Sequence, residues 1–450
     1  MPSASLSYFL HYEPQVFRFW SQLNENQKER LADQLKHLKI DVLKKQQADI
    51  EDPCEQIDTS YEPFDTFSFS GNLNHRKMGE KLIEEGRLGC LLLAGGEGTR
   101  LQHVGPKGTY PISIIKHKSL FELCAEKIKA AAIKAGRSLN LAIMTSPDND
   151  AQTRAFFHSH HFFGLEPSCV FFFIQEKLPF LDSAGRLFLE THAKVAEGAD
   201  GNGHSLLHFS QSGILNEWIK QGIHYLHMIL VDNPLADPFD AELLGFHSEQ
   251  QADITLKCTE KVDPDEKVGL LVKQKRGCKV VEYSEMSELE KKARRPDGGL
   301  KHCCANLSLF CFSLAFIEQM VKRQQHLPLH KAWKASSYVD QDGHVHHSRE
   351  PNAWKFERFV FDWLLFAEKV SALIYPRDEC FAPLKNSKGA DSPSTVRAAI
   401  QKRDRALIEK ITGLPAPSFP FELSAEFYYA SGDILKKWKG QKIVSSYMTP

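Results

Sequence analysis

The 450-residue sequence has no apolar run approaching the ~18 residues that cross a bilayer, no CxxC pair, no internal repeat and no low-complexity tract. The first absence argues against a helical membrane span, and the second leaves a structural zinc site without its usual ligands. Excess charge is missing as well. Lysine and arginine number 56 against 57 aspartates and glutamates, a formal net charge of −1, so no global field recruits nucleic acid or an anionic membrane. Any polyanion has to be held locally. The opening stretch MPSASLSYFLHYEPQ lacks a basic segment followed by a long apolar one, so the chain is expected to stay where it is made, in the cytoplasm. The ten cysteines are scattered from Cys54 to Cys380, and only Cys303 and Cys304 are close neighbours, a pattern of reduced, cytosolic thiols. The histidine runs FFHSHHF (His158, His160, His161) and HVHH (His344, His346, His347) are read as lacking a full set of cysteine or carboxylate ligands and are set aside as metal sites. What is present is ordinary for a globular protein, with 42% hydrophobic and 25% charged residues, and enough chain for two or three domains.

Hydrophobic periodicity predicts a helix over 24–45, capped by Asn24 with Gln27 completing a capping box, then a polar connection over 47–69. From about residue 85 short apolar runs alternate with helical patterns. LGCLLLA (88–94), LNLAIMTS (139–146), CVFFFIQ (169–175) and HYLHMILVD (224–232) read as strands, and 120–136 as a helix ended by Gly136. Their hydrophobicity is continuous rather than alternating, so both faces are covered, as in a mainly parallel sheet flanked by helices. Ligands of such sheets bind beyond the carboxyl ends of the strands. KVGLLVKQKRGCKVVEYSEM (267–286) reads as two strands around a turn at Arg276 and Gly277, and KFERFVFDWLLFAEKV (355–370) as a helix. The expected division is an N-terminal helical region, 1–84, a central domain, 85–375, and a small C-terminal domain, 376–450.

The stretch LLLAGGEGTRLQHVGPKG (91–108) places five glycines in eighteen positions behind a strand. Gly95, Gly96 and Gly98 let the backbone bend and approach a ligand without Cβ interference. A dinucleotide fingerprint counted from Gly96 would need glycine where Leu101 stands, and a P-loop counted from Gly95 would need glycine where Arg100 stands, so both motifs fail. There remains a GGxGTR loop followed by PKG, which puts backbone amides, Arg100 and Lys107 around an anion. Arginine grips phosphate oxygens bidentately, and lysine acts as a point charge. Asp232 and Gln175 each end an apolar run, which predicts that they stand at the ligand-bearing rim.

GGEGTRLQHVGPKG resembles the nucleotide-binding loop of the nucleotidyltransferases that make nucleoside diphosphate sugars. FRFWSQLNENQKERLADQL, FFGLEPSCVFFFIQEKLP, GADGNG, LVDNPLADP, KVGLLV with VVEYSEM, KFERFVFD and FAPLKN then follow in the order of one branch, so the chain resembles the eukaryotic-type UDP-N-acetylhexosamine pyrophosphorylases over nearly its whole length. The resemblance implies an α/β fold with a Rossmann-like nucleotidyltransferase domain and a central mixed, mainly parallel sheet. It implies transfer of uridylyl from UTP to a sugar 1-phosphate with release of pyrophosphate, using Mg2+. Carried over residue by residue, Arg100 would hold the leaving pyrophosphate, Lys107 the phosphates near the reaction centre, and Lys385 the phosphate of the sugar. Asp232 would ligate Mg2+, an ion that prefers oxygen donors. Gly95, Gly96, Gly98, Thr99, Gln175, Gly201 and Asn202 would line the nucleotide, with Gly203 beside them, and Gly269, Glu282, Asn306, Phe359 and Phe361 the sugar.

The chain departs from the family where CCAN stands for an NAGN-type segment and GNGH for a GNGG-type one. Asn306 survives and its neighbours do not. The PKG loop and the C-terminal portion also differ in length from typical members, so no oligomer contact carries over. Phe359 and Phe361 match positions near the N-acetyl group, although an apolar helix there would bury phenylalanines for packing alone. The expected activity is synthesis of UDP-N-acetylglucosamine. The alternatives are the same chemistry on glucose 1-phosphate and, from another class, an inactive nucleotide-sugar-binding regulatory protein.

Overall fold

Every residue of the strand Leu88–Leu93 is buried, and a strand apolar on both faces requires a layer against each face of its sheet. The structure, a computed structural model, supplies that setting. It describes residues 4–51, 61–275, 277–283, 285–323 and 327–450. These fall into two compact units, Met1–Asp58 with Gln175–His204 and His326–Val360, and Thr59–Ile174 with Ser205–Gln325 and Phe361–Pro450. The division at residues 84 and 376 is a statement about chain order, and the units are a statement about contacts in space.

The larger unit is built on an 11-stranded sheet. Its main path runs Phe67–Phe69, Val370–Tyr375, Ile254–Glu260, Cys304–Ser313, Tyr225–Leu230, Leu88–Leu93, Leu141–Thr145 and Val170–Ile174. Neighbours on this path pair in parallel except at Cys304–Ser313, which is antiparallel to both of its neighbours. Seven strands therefore deliver their carboxyl ends to one rim, where Cys304–Ser313 begins. A side arm of Leu270–Lys273 and Cys278–Val281 pairs antiparallel and joins the sheet through Leu270 and Ala305. The α/β expectation, with a mainly parallel sheet, is met. No helix among the described residues is long and apolar enough to cross a membrane.

The smaller unit gathers Phe9, Val16, Phe19, Leu31, Leu35, Leu43, Leu178, Leu189 and Phe356 into its own core. The Asn24–Gln27 capping box is present. The single helix expected over 24–45 is two, Glu25–His37 and Ile40–Glu51, because Leu38 turns to extended backbone between them. The second helix also takes up the start of what reads as a connection.

One other expectation is corrected, and two helices are added. Residues 355–370 are not a helix: Ala353–Glu357 is a strand paired with His330–Lys334, and Val360–Leu365 forms a short 3-10 turn. The aromatic and β-branched content of that stretch fits a pleated surface as readily as a helix face, and cross-strand pairing decided it. The segment beyond residue 376 holds a 20-residue helix, Pro393–Thr412, with Ser392 and Thr395 in a capping box and Pro393 in its first turn. Ser392-Pro393-Ser394 is its start signal. Helix Leu73–Glu84, capped by Asn72, is a further element not anticipated. The hairpin over 267–286 is observed, with Arg276 outside the described residues.

The sheet interior contains polar groups that titrate. His247 Nδ1 lies 2.8 Å from Thr255 Oγ1 and its Nε2 lies 3.0 Å from Ser313 Oγ, while Thr255 Oγ1 meets Ser371 Oγ at 2.7 Å. Burial pushes the His247 ring down to about 3 and the His227 ring, in the central strand, down to about 4, in spite of nearby Asp240. An unfolded histidine takes its proton near 6.5, so from there down to about 4 the unfolded chain holds protons that the native state refuses, and stability falls with pH by about 1.4 kcal/mol per unit for each proton. Asp404, held up near 6 by burial, acts in the opposite sense over part of this range. The measurement is therefore a difference: in urea unfolding between pH 7.5 and 4.5, His247→Gln is expected to lose less stability on acidification than the unsubstituted chain, by up to the one-proton slope. Parallel curves would contradict a neutral buried His247.

Candidate active site

Behind Leu93 the chain leaves the sheet as AGGEGTR. Ala94 N donates to Met144 O at 2.8 Å, and the Asn149 side-chain amide donates to Ala94 O and Gly96 O at 3.1 and 3.3 Å. The loop then folds back on itself. Glu97 and Pro106 form an antiparallel bridge, Gly98 N reaches Gly105 O at 3.3 Å, and Lys107 N reaches Gly96 O at 3.2 Å. None of Gly95, Gly96 and Gly98 takes a positive φ; the bend falls on Gln102 and Gly105. Gly98 is needed for closeness, because a Cβ there would stand 2.7 Å from His103 Cβ. Thr99 and Arg100 ride on the exposed tip, where Arg100 engages no carboxylate among the described residues. Lys107 is at the base.

Asp232 follows the carboxyl end of Tyr225–Leu230, next to that base. Lys107 Nζ donates to Asp232 Oδ2 at 3.0 Å, with side chains 12% and 15% exposed. The other carboxylate oxygen, Oδ1, is buried and has no hydrogen-bond partner among the described residues. An oxygen in that condition has acceptor capacity to spare, at a cost if nothing uses it.

The same strand end holds the FAPLKN segment. Leu384 N donates to Asp232 O at 2.8 Å, Asn233 Nδ2 donates to Cys380 O at 2.8 Å, and Ala382 N donates to Asn233 Oδ1 at 3.0 Å. Lys385 is the next, exposed residue, on a loop closed by its own N–H and that of Asn386 on Asp391 O. The turn after Asp232 is secured from below by Lys127, whose buried ammonium donates to Pro234 O and Ala236 O. Burial, then the Arg403 charge, lowers Lys127 to about 7. Asp237 serves as a turn residue, accepting from Phe239 N at 3.0 Å and from the Tyr429 hydroxyl.

Farther along the rim Asn306 N donates to Gly269 O at 2.9 Å, and a Cβ on Gly269 would meet Glu282 Oε1 at 3.1 Å. Three residues separated by up to 37 positions thus share one patch. Phe361 belongs to this larger unit too and is half-buried.

Gln175, Gly201, Asn202 and Phe359 belong to the smaller unit. Gln175 is buried. Gly201 has φ +85, and a Cβ there would stand 2.3 Å from Arg358 O, so only glycine fits. Asn202 Oδ1 accepts from Val360 N at 3.0 Å, and the buried Asp200–Arg358 pair at 2.5 Å fixes the two segments to each other. Phe359 packs against His330, ring centroids 4.8 Å apart. In the same unit Asp340 Oδ2 lies 2.7 Å from His346 Nε2 and 3.5 Å from His344 Nδ1. The HVHH run therefore does have a carboxylate neighbour, one that also caps its own turn through the amides of Asp342 and His344.

Asn149, Asn233 and Lys127 were not among the candidates. The rule that singled out Asp232, a polar residue ending an apolar strand, applied equally to its neighbour Asn233. Asn149 precedes a helix, where its link to Ser146 N is local and its links to Ala94 O and Gly96 O are not, and Lys127 sits in a helical pattern with its carbonyl partners more than a hundred residues away.

The fold and this rim define an open-sheet α/β protein that collects basic side chains and one under-used carboxylate beyond its strand ends. Residues 32–392 match the UTP–glucose-1-phosphate uridylyltransferase family model, and the chain belongs to that family. It is 34% identical over 411 residues to the Xenopus tropicalis UDP-N-acetylhexosamine pyrophosphorylase-like protein 1, covering 86% of this chain and 80% of the relative. To the Saccharomyces cerevisiae UDP-N-acetylglucosamine pyrophosphorylase it is 29% identical, covering 95% of each. The crystal structure of the Trypanosoma brucei uridine diphosphate N-acetylglucosamine pyrophosphorylase superposes with a TM-score of 0.77 at 25% identity, covering 92% of this chain and 90% of that one. The resemblance read from the motifs is borne out.

Asn233→Ala would leave Cys380 O and Ala382 N without their buried partner. It is expected to lower unfolding stability by about 1–3 kcal/mol and to speed hydrogen exchange at the amides of Ala382 and Leu384; unchanged exchange there would contradict the bracing role.

Proposed function

We propose that the chain is a cytoplasmic UTP-dependent uridylyltransferase that converts N-acetylglucosamine 1-phosphate and UTP to UDP-N-acetylglucosamine and pyrophosphate. The observation that carries the reading furthest is the Lys107–Asp232 pair, set between the glycine-rich loop and the Lys385 segment, in a chain whose relatives bear that activity in their names. A sugar phosphate has a second pKa of ~6, so its oxygen is already ionised at neutral pH and attacks the α-phosphorus of UTP without a general base. The barrier is repulsion between two polyanions, and the chain meets it with fixed positive charge. Arg100, free on its loop tip, grips the departing pyrophosphate. Lys107 screens the α-phosphate, and Lys385 holds the sugar phosphate in line. Gly95, Gly96, Gly98 and Thr99 present backbone to the nucleotide, with Gln175, Gly201 and Asn202 at the nucleoside. Glu282, Asn306 and the backbone of Gly269 take the sugar hydroxyls, and Phe359 and Phe361 take the N-acetyl group. The donor chemistry fits Mg2+: the unpartnered Oδ1 of Asp232 would hold it, and when bound it would neutralise charge on the substrate phosphates.

A second reading, the same transfer to glucose 1-phosphate, is favoured by the family model's own description. Comparison of kcat/KM for the two sugar phosphates separates them. N-acetylglucosamine 1-phosphate is expected to lead by about tenfold or more, and the reverse order would overturn the assignment. Arg100→Ala and Lys385→Ala are each expected to lower turnover by roughly a hundredfold or more with the fold intact by circular dichroism. Near-normal turnover in either variant would remove that residue from the reaction, and no pyrophosphate release by the unsubstituted chain with UTP, sugar phosphate and Mg2+ would leave the regulatory protein as the surviving reading.

A further inference from the structure

The adjacent thiols of Cys303 and Cys304 stand where the strand Cys304–Ser313 begins, and nothing in the proposed reaction uses them. Both are free, 3% and 1% exposed. They are consecutive in the chain, with the Cys303 sulfur just before the first strand residue, Cys304. Arg295 Nη1 donates to the same sulfur at 3.2 Å, while its other nitrogens face Glu260 at 3.5 Å and Asp297 at 3.3 Å. A guanidinium donor aimed at a sulfur stabilises its thiolate. The neighbouring Cys304 thiol and then the Arg295 charge hold Cys303 below the usual thiol range against the effect of burial, and Cys304 is pushed up. Cys124 and Cys169, the more accessible thiols among the described residues, are both pushed up by burial, in spite of Lys127 beside the first and Ser168 beside the second. Reactivity rises with the thiolate fraction, which the Arg295 contact raises at Cys303.

The position gives such chemistry a consequence. Cys303 O accepts from Lys261 N at 2.8 Å, Cys304 pairs with Glu260, Ala305 pairs with Leu270, and Asn306 N reaches Gly269 O. Neighbouring α-carbons are about 3.8 Å apart, less than the ~4.4–6.8 Å of an unstrained disulfide, so a bond between these two sulfurs has to distort the peptide that joins them. The distortion falls on the ladder that aligns Asn306 with Gly269.

We propose that Cys303 and Cys304 are a reversible oxidation site for hydroperoxides. The Cys303 thiolate attacks the peroxide, the O–O bond breaks, the sulfur takes one oxygen as a sulfenic acid, and the other leaves as an alcohol, or as water from hydrogen peroxide. The Cys304 thiol then attacks that sulfur and expels water, so two thiols are oxidised by two electrons as one peroxide is reduced. The strained disulfide is readily reopened by a dithiol. Resting on the uridylyltransferase reading, the closed form binds the sugar phosphate more weakly because Asn306 is pulled from its place.

The test treats the full chain with hydrogen peroxide and maps every cysteine by mass spectrometry. The expected result is the loss of two hydrogens from the peptide holding both residues, before Cys124 or Cys169 changes, and its reversal by dithiothreitol. Cys304→Ser should stop at a trappable sulfenic acid on residue 303, Arg295→Ala should slow the reaction, and Cys303→Ser should show neither product. KM for the sugar phosphate should rise about fivefold or more on oxidation, recover on reduction, and stay unmoved in Cys303→Ser. First modification at Cys124 or Cys169, or an unchanged loss in Cys303→Ser, would overturn the site. Disulfide formation without a change in KM would overturn the link to the sugar patch. The mass readout holds whatever the activity, so failure of the uridylyltransferase reading is distinguishable from failure of this one.

Discussion

The ion pair between Lys107 and Asp232 is the constraint around which the rim is arranged. It joins the return of the glycine-rich loop to the end of the central strand, residues 125 positions apart in the chain, through one charge-assisted contact of 3.0 Å. Neither partner is fully buried, so the pair avoids the desolvation cost of a core ion pair while remaining shielded enough to hold its geometry. The carboxylate uses one oxygen for this and keeps the other unengaged. A cation and an anion are thus held at the same strand end, and the anion has acceptor capacity to spare.

Much of the surrounding structure holds that junction still. Asn149 ties down the outgoing limb of the loop and Asn233 the segment before Lys385, and Lys127 clamps the turn beyond Asp232 through two carbonyls. These residues touch backbone, not one another's charges, which lets them set position without altering the charge balance of the rim. Arg100 is left on the exposed tip with no internal partner among the described residues, consistent with a group whose partner arrives with the substrate. Glu282, Gly269 and Asn306 form a separate polar patch on the same rim, anchored by a single backbone bond at 2.9 Å.

The elements read correctly from the chain are those whose local signals and tertiary setting agree. LGCLLLA, LNLAIMTS, CVFFFIQ and HYLHMILVD carry enough continuous apolar character to be strands in any packed context, and Gly136 ends its helix in the left-handed conformation that favours glycine. The errors fall where two local readings compete. KFERFVFD fits a helix face by spacing, yet its partner strand at His330–Lys334 lies over twenty residues away and settled the matter. The Ser-Pro-Ser at 392–394 becomes a helix start once Ser392 and Thr395 cap each other. The HVHH run is set aside although Asp340 and Asp342 stand within four residues of His344, and Asp340 turns back onto it.

What the amino-acid order determined alone is the inventory: continuous apolar strands that demand a covered, mainly parallel sheet, a glycine-rich loop with one arginine and one lysine, a carboxylate at a strand end, and motifs that place the chain in its family. Those properties depend on side-chain chemistry and short-range spacing, which a linear reading preserves. Only the tertiary structure decided which of them meet. That Lys107 faces Asp232, that Asn233 carries the loop before Lys385, that Asn306 reaches Gly269, and that two adjacent thiols lie under Arg295 all follow from strand order and register. Those are set by the collective packing of the sheet, and no local stretch of sequence contains them.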